Sequence, residues 1–166
     1  MSCYHLAIGD SHPVWKLPLR SRPKVRTGIV KSRIITGTYI LQIDRHKFSQ
    51  YNIRVDPNCP LCKTEEENLI HFSLKCPLLR PILAPLFEAL KGEVISCTNE
   101  NNWKNIFNNS LSIVKLIVDC RNFANIFNED KNVMHRIEEL SRNLCYALHV
   151  KRLQIMDNQN VNPRTR

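Results

Sequence analysis

The chain has 166 residues, a hydrophobic fraction of 43% and a formal net charge of +9. This length suits one ordinary domain, or a small domain with an appendage. No apolar run reaches the roughly 18 residues of a membrane helix, and the first ten residues lack the charged start and long apolar run of a signal peptide. The seven cysteines, an odd number, favour a reducing compartment. We therefore expect a soluble intracellular protein, in the nucleus or the cytoplasm, with no membrane partner.

Basic residues are concentrated in the first third of the chain, where residues 1–58 carry ten Lys or Arg and three Asp or Glu. Seven of them lie within one stretch that has no acidic residue: Lys16, Arg20, Arg22, Lys24, Arg26, Lys31 and Arg33. Such a block suits contacts with the phosphates of RNA or DNA. The alternative is a solvated linker to another domain. We predict a flexible basic arm over residues 1–27 and nucleic-acid contacts through these seven side chains.

Apolar residues between Gly28 and Phe48 have partly helical spacing, interrupted around Gly37. A glycine inside a helix costs about 1 kcal/mol relative to alanine, so Gly37 either splits this segment or allows close approach of the next one. We predict a helix with Lys31 and Arg33 on its exposed side.

Four potential metal ligands follow in the pattern C-x2-C-x8-H-x4-C: Cys59, Cys62, His71 and Cys76. Two thiols from a tight turn, an imidazole and a third thiol complete a tetrahedral zinc site with no open position. A redox Cys-x-x-Cys pair would require a βαβ context that the sequence lacks. A catalytic zinc is disfavoured because neither H-E-x-x-H nor the deaminase pattern is present. The pattern predicts a structural Zn²⁺ site.

The sequence around these ligands predicts how they come together. Residues 64–67 have the form of a capping box, which predicts a helix from about Glu65 with His71 about two turns in. His71 and Cys76 are five residues apart, so on a regular helix they would not share a face. Pro77 favours an extended conformation for Cys76, which would return the third thiol to the metal.

The rest of the chain predicts further helices. Apolar residues at helical spacing indicate a short helix over 78–90 that stops at Gly92, then a polar connector over 91–101. Two longer helices are predicted over 102–127 and 130–156, the second close to a heptad rhythm. An antiparallel pairing of these two would cover the zinc module.

The predicted fold class is therefore mainly α, with a small CCHC zinc module followed by a helical hairpin. The module extends over residues 28–92 and the hairpin over residues 101–157. The tail over residues 158–166 is predicted to be disordered.

A set of motifs resembles the zinc-binding domain near the C-terminus of reverse transcriptases encoded by non-LTR retrotransposons, over about residues 12–87. The motifs are Arg33-x-x-Thr36-Gly37-x-Tyr39-x-Leu41, Cys59-Pro60-Leu61-Cys62, Glu67, His71-Phe72 and Cys76-Pro77. The resemblance implies a nucleic-acid-handling module of a retroelement polyprotein that follows a reverse transcriptase domain.

The sequence contains no Tyr-x-Asp-Asp, no P-loop glycines and no nucleophile constellation, so we expect a non-catalytic module. Its expected partners are RNA or DNA and the upstream reverse transcriptase domain of the same element. Two alternatives stay open: a zinc-stabilised module for protein interaction or homodimerisation, and a decayed retroelement relic.

Overall fold

The computed structural model describes residues 12 and 15 and the ranges 22–49 and 55–161. Lys16 and Arg20, like most of the predicted arm and the end of the predicted tail, lie outside the described residues. The described part is mainly helical and contains no strand, as the sequence predicts. Its α-helices are α1 Arg22–Ile35, α2 Gln42–Lys47, α3 Arg80–Cys97, α4 Glu100–Ile106, α5 Ser110–Val118 and α6 Lys131–Val161. A π-helical turn, His71–Lys75, and a 3₁₀ segment, Cys120–Phe127, complete the regular structure.

Helix α6 is the centre of the packing. Its main neighbours are α1 and α3, and its inward residues Ile137, Leu144 and Leu148 are completely buried. The segment with the four predicted ligands packs into the same core, which also contains Phe72 and Leu79. The C-terminal helix therefore shares one core with the ligand-bearing segment.

The region predicted as one helix over 102–127 is broken into three pieces. A polar side chain caps the start of each: Asn99 accepts from the Asn102 amide at 2.7 Å, Asn109 from Ser112 at 2.9 Å, and Asp119 from Arg121 at 3.0 Å. Asn and Asp bond to nearby backbone amides in non-helical conformations, so they favour caps over helix interiors. The prediction of one continuous helix was wrong because these caps outweigh the apolar periodicity.

The prediction for α6 itself was correct in kind and too short. The helix starts after Asp130, which accepts from the Asn132 amide at 2.7 Å, and continues to Val161. The first residues of the predicted disordered tail are therefore helical.

Helix α1 begins at Arg22, within the predicted flexible arm, and ends before Gly37. Gly37 has φ +70°, a left-handed conformation that commonly ends a helix and that glycine adopts at little cost. The predicted 28–48 helix is therefore split into α1 and α2.

The predicted exposure of Lys31 was wrong, because its side chain is completely buried. It lies on the face of α1 that also carries Thr27, Val30 and Ile34, all of which are buried. Residues three and four apart share a helix face, so packing of this face against the interior takes Lys31 with it. Its ammonium donates to the Ile117 carbonyl and, at 2.6 Å, to the Ser141 hydroxyl.

Helix α3 contains Pro81 in its first turn, as predicted, but it continues past the predicted stop at Gly92 to Cys97. Leu90 and Val94 are completely buried on either side of Gly92, and their burial outweighs a glycine cost of about 1 kcal/mol. None of the described helices is both long enough and apolar enough to span a membrane.

Candidate metal centre

The first two predicted ligands lie in a tight turn at the end of a short antiparallel pairing. Asn58 pairs with Glu66, and the Cys59 amide donates to the Glu65 carbonyl at 2.8 Å. Lys63, directly after Cys62, has φ +60° and donates its amide to the Cys59 carbonyl at 2.8 Å. This turn brings the thiols of Cys59 and Cys62 to the same side of the loop.

The other two ligands lie at the ends of the π-helical turn. The Cys76 amide donates to the His71 carbonyl at 2.8 Å, a bond that joins residues five apart and so brings them together. Cys76 then adopts an extended conformation with ψ 116°, as Pro77 predicted. A π-turn, which sequence periodicity does not indicate, thus resolves the five-residue spacing.

The predicted helix start at Glu65 was wrong. The Glu67 amide donates to the Pro57 carbonyl at 3.0 Å, so this part of the chain pairs with the loop instead of coiling. The helical turn begins after Asn68, whose side-chain oxygen accepts from the His71 amide at 2.9 Å. His71 therefore lies in the first turn.

The four predicted ligands are brought together with their donor atoms within 4.8 Å of one another. The sulfurs of Cys59 and Cys76 are 3.9 Å apart, and the Cys62 sulfur is 3.3 Å from Nε2 of His71. A tetrahedral zinc site with ordinary bond lengths has edges of about 3.8 Å between two sulfurs and about 3.6 Å between sulfur and nitrogen. The spacing and the chemistry of these donors fit a metal ion, and are compatible with Zn²⁺.

Burial and charge around the cluster also suit a bound cation. Cys59, His71 and Cys76 are buried and Cys62 is half-buried. A carboxylate oxygen of Glu65 lies 3.4 Å from Nδ1 of His71. A carboxylate at the second ring nitrogen orients a metal-binding histidine and favours the tautomer that coordinates through Nε2. The sequence analysis had assigned Glu65 only to a helix start.

Contacts within the cluster shift the acidity of its members. A hydrogen bond between the two thiols, together with burial, raises the pKa of Cys59. The same hydrogen bond lowers the pKa of Cys76, so Cys76 is the thiol that ionises more readily. Burial alone would lower the pKa of His71, but hydrogen bonds to Cys59, Glu65 and Cys62 outweigh it and raise that pKa.

A buried ion pair attaches this segment to α6. Arg152 donates through Nε to Glu67 at 2.7 Å and through Nη2 to the other carboxylate oxygen at 2.8 Å. Glu67 also accepts from the Gln42 amide at 2.8 Å, and both charged side chains are buried. We had predicted that Glu67 belongs to a capping box. Its partner lies 85 residues away, and no local pattern identifies it.

Aromatic contacts join the α1–α2 loop to the same region. The ring of Tyr39 lies 5.3 Å from that of Phe72, the residue after His71. The Tyr39 hydroxyl is 2.9 Å from Nδ1 of His149 on α6. The loop after α1 is therefore held beside the metal cluster.

The seven residues predicted to contact nucleic acid are placed differently from one another. Lys24, Arg26 and Arg33 are exposed on α1, and Arg22 is its first residue. The burial of Lys31 removes its ammonium from any phosphate contact at the surface. Arg26 and Arg33 are seven residues apart, or about two turns, so they lie on one face of the helix.

Comparison of the chain with protein-family models, with curated proteins and with solved structures gives no match. The metal centre is therefore defined by its own geometry: a Cys₃His group that could hold a metal ion.

Proposed function

We propose that the chain is a non-catalytic, zinc-binding and nucleic-acid-binding module of a non-LTR retrotransposon reverse transcriptase polyprotein. The observation that carries the proposal is the Cys₃His cluster beside an exposed basic helix face. All four positions of a tetrahedral zinc ion would be filled by Cys59, Cys62, His71 and Cys76, which leaves no open position for catalysis. Zinc bound there would stabilise the fold and add no reactivity.

The basic face supports nucleic acid as the partner. Arg26 and Arg33 lie about 10 Å apart along α1, at 1.5 Å per residue, with half-exposed Ile29 between them. Neither guanidinium forms an ion pair with a described residue, so both are available to a polyanion. Phosphate contacts of this kind displace counterions and make binding strongly dependent on salt.

The zinc part is tested by elemental analysis of protein purified without added metal. We expect about one zinc per chain, and unfolding on addition of a strong chelator because structural zinc contributes folding free energy directly. A well-folded protein without zinc that is insensitive to the chelator would contradict this part.

The nucleic-acid part is tested by fluorescence anisotropy with short single-stranded RNA and DNA over a range of salt concentrations. The variant R26Q/R33Q removes two charges from the basic face, and K115Q/K131Q removes two exposed charges elsewhere. We expect only R26Q/R33Q to weaken binding substantially and to reduce the salt slope by about 2. Equal effects of the two variants would contradict a specific basic face.

Membership of a polyprotein has a separate test in the genome. An in-frame reverse transcriptase coding sequence upstream of this chain would support it, and unrelated upstream sequence would contradict it.

A protein-docking module is the second candidate, and two exposed apolar side chains favour it. Ile40 is 59% exposed and Phe48 is 84% exposed, close together at the two ends of the α2 region. Docking through them would depend little on salt. Sedimentation of the wild type beside F48S distinguishes self-association from nucleic-acid binding.

A further inference from the structure

A small pocket opens where the end of α1 meets α6, beside the metal cluster. Its volume is about 170 Å³, and it is lined by Arg33, Thr38, Tyr39, Ile40, His149 and Arg152. Pockets for drug-sized ligands are larger, roughly 300–1,000 Å³. The pocket therefore has room for a compact group and not for a whole nucleoside.

The charged groups around the pocket favour an anion. Arg152 lies at its base with its charge compensated by buried Glu67, while exposed Arg33 forms no ion pair with a described residue. Arg33 therefore supplies an uncompensated positive charge. The pKa of His149 is lowered by burial and then by the charges of Arg152 and Arg33, which is independent evidence of a positive potential there.

The hydrogen-bonding groups are arranged as donors. Burial raises the pKa of Tyr39 to about 12, so its hydroxyl keeps its proton at neutral pH. Because an arginine can only donate, the Tyr39 oxygen accepts from Arg152 and its proton can be donated to Nδ1 of His149, 2.9 Å away. The tautomer that accepts at Nδ1 carries its own proton on Nε2. The guanidinium of Arg33 and the hydroxyl of Thr38 add further donors.

We propose that this pocket is a phosphate-binding subsite, formed by Arg33, Thr38 and His149 over Arg152, that takes one phosphate of a nucleic-acid strand. The inference rests on the proposed function for the source of the phosphate, and on the geometry alone for the affinity for phosphate. Arginine is suited to this role because its planar fork matches two phosphate oxygens at once. The subsite would anchor a strand that follows the basic face of α1.

The first arm of the test uses inorganic phosphate and full-length protein, followed by two-dimensional ¹H–¹⁵N NMR at constant pH and ionic strength. Phosphate is expected to shift the amide signals of Thr38, Tyr39 and Ile40 in the wild type, with no such shifts in R33Q. Shifts confined to other regions, or identical shifts in R33Q, would overturn the subsite whatever the protein does with nucleic acid.

The second arm measures binding of a short single-stranded RNA by wild type, R33Q and R33K, with K131Q as control. Lys131 is exposed and lies about 30 Å along α6 from Arg152, at 1.5 Å per residue, so K131Q removes one charge far from the pocket. We expect R33Q to weaken binding about tenfold relative to K131Q, as for loss of one charge-assisted contact. R33K should recover part of it, because it keeps the charge and loses the fork.

The two arms separate failure of the subsite from failure of the proposed function. Phosphate shifts at the pocket together with equal RNA binding by R33Q and K131Q would overturn the strand as the source of the phosphate. If the wild type bound no RNA while the pocket still responded to phosphate, the proposed function would fail and the site would take a free phosphate.

Discussion

Replacement of Arg152 by methionine tests how the metal-binding segment is attached to the rest of the fold. The substitution keeps an unbranched side chain of similar length in the core and removes the guanidinium. Glu67 would then lose two charge-assisted hydrogen bonds of 2.7 and 2.8 Å and keep the one from the Gln42 amide. Its carboxylate is only 1% exposed, so water could not replace the lost donors without opening the core.

The magnitude follows from this burial. Removing one partner of a buried ion pair costs about 3–5 kcal/mol, because the other charge is left uncompensated. Screening by solvent, which weakens surface pairs, does not apply because Arg152 is only 6% exposed. For a chain of this size 1 kcal/mol corresponds to about 2–4 °C in Tm, so R152M should lower Tm by roughly 6–20 °C.

The assay is urea unfolding of the zinc-loaded protein, followed by circular dichroism. The matched control is R136M, on the same helix, where Arg136 pairs with Glu93 at the surface and surface pairs contribute little. The double variant E67Q/R152M should recover part of the loss because no buried charge is left alone. Equal urea midpoints for R152M, R136M and wild type would refute the buried pair as the attachment.

Three further predictions concern the metal centre and the core. C62S should bind less than one zinc per chain by elemental analysis and melt at a lower temperature than the wild type; unchanged zinc content and unchanged melting would contradict its role as a ligand. E65Q should keep the fold and lower zinc affinity about tenfold in a competition with a chromogenic chelator, because removal of an outer carboxylate typically costs 10–100-fold; equal affinity would show that the 3.4 Å contact with His71 does not matter. K31M should lower the free energy of unfolding by about 3 kcal/mol in urea, because the buried Glu138 carboxylate, 3.7 Å from the Lys31 ammonium, loses that cation; an unchanged urea midpoint would contradict this.

Much of the local structure could be predicted from the sequence. The spacing of the ligands and Pro77 predicted which four side chains come together, because short loops restrict where nearby residues can lie. The apolar periodicity predicted α6 for the same reason, since one face of a long helix must be buried. Local cues failed where two of them competed. The cap formed by Asn68 overrode the capping-box pattern that begins at Thr64, and the burial of Leu90 overrode Gly92 as a stop.

Contacts between distant parts of the chain were decided only by the tertiary structure. The Glu67–Arg152 pair, the burial of Lys31 against Ser141 and the pocket between Arg33 and His149 all join residues that are far apart in sequence. Each depends on which face of α6 meets α1 and the metal-binding segment, and periodicity indicates only that a face is buried. The sequence by itself thus determined a mainly helical chain with a Cys₃His set. The tertiary structure decided which charged side chains are buried as partners and which stay exposed, because that depends on how the helices pack.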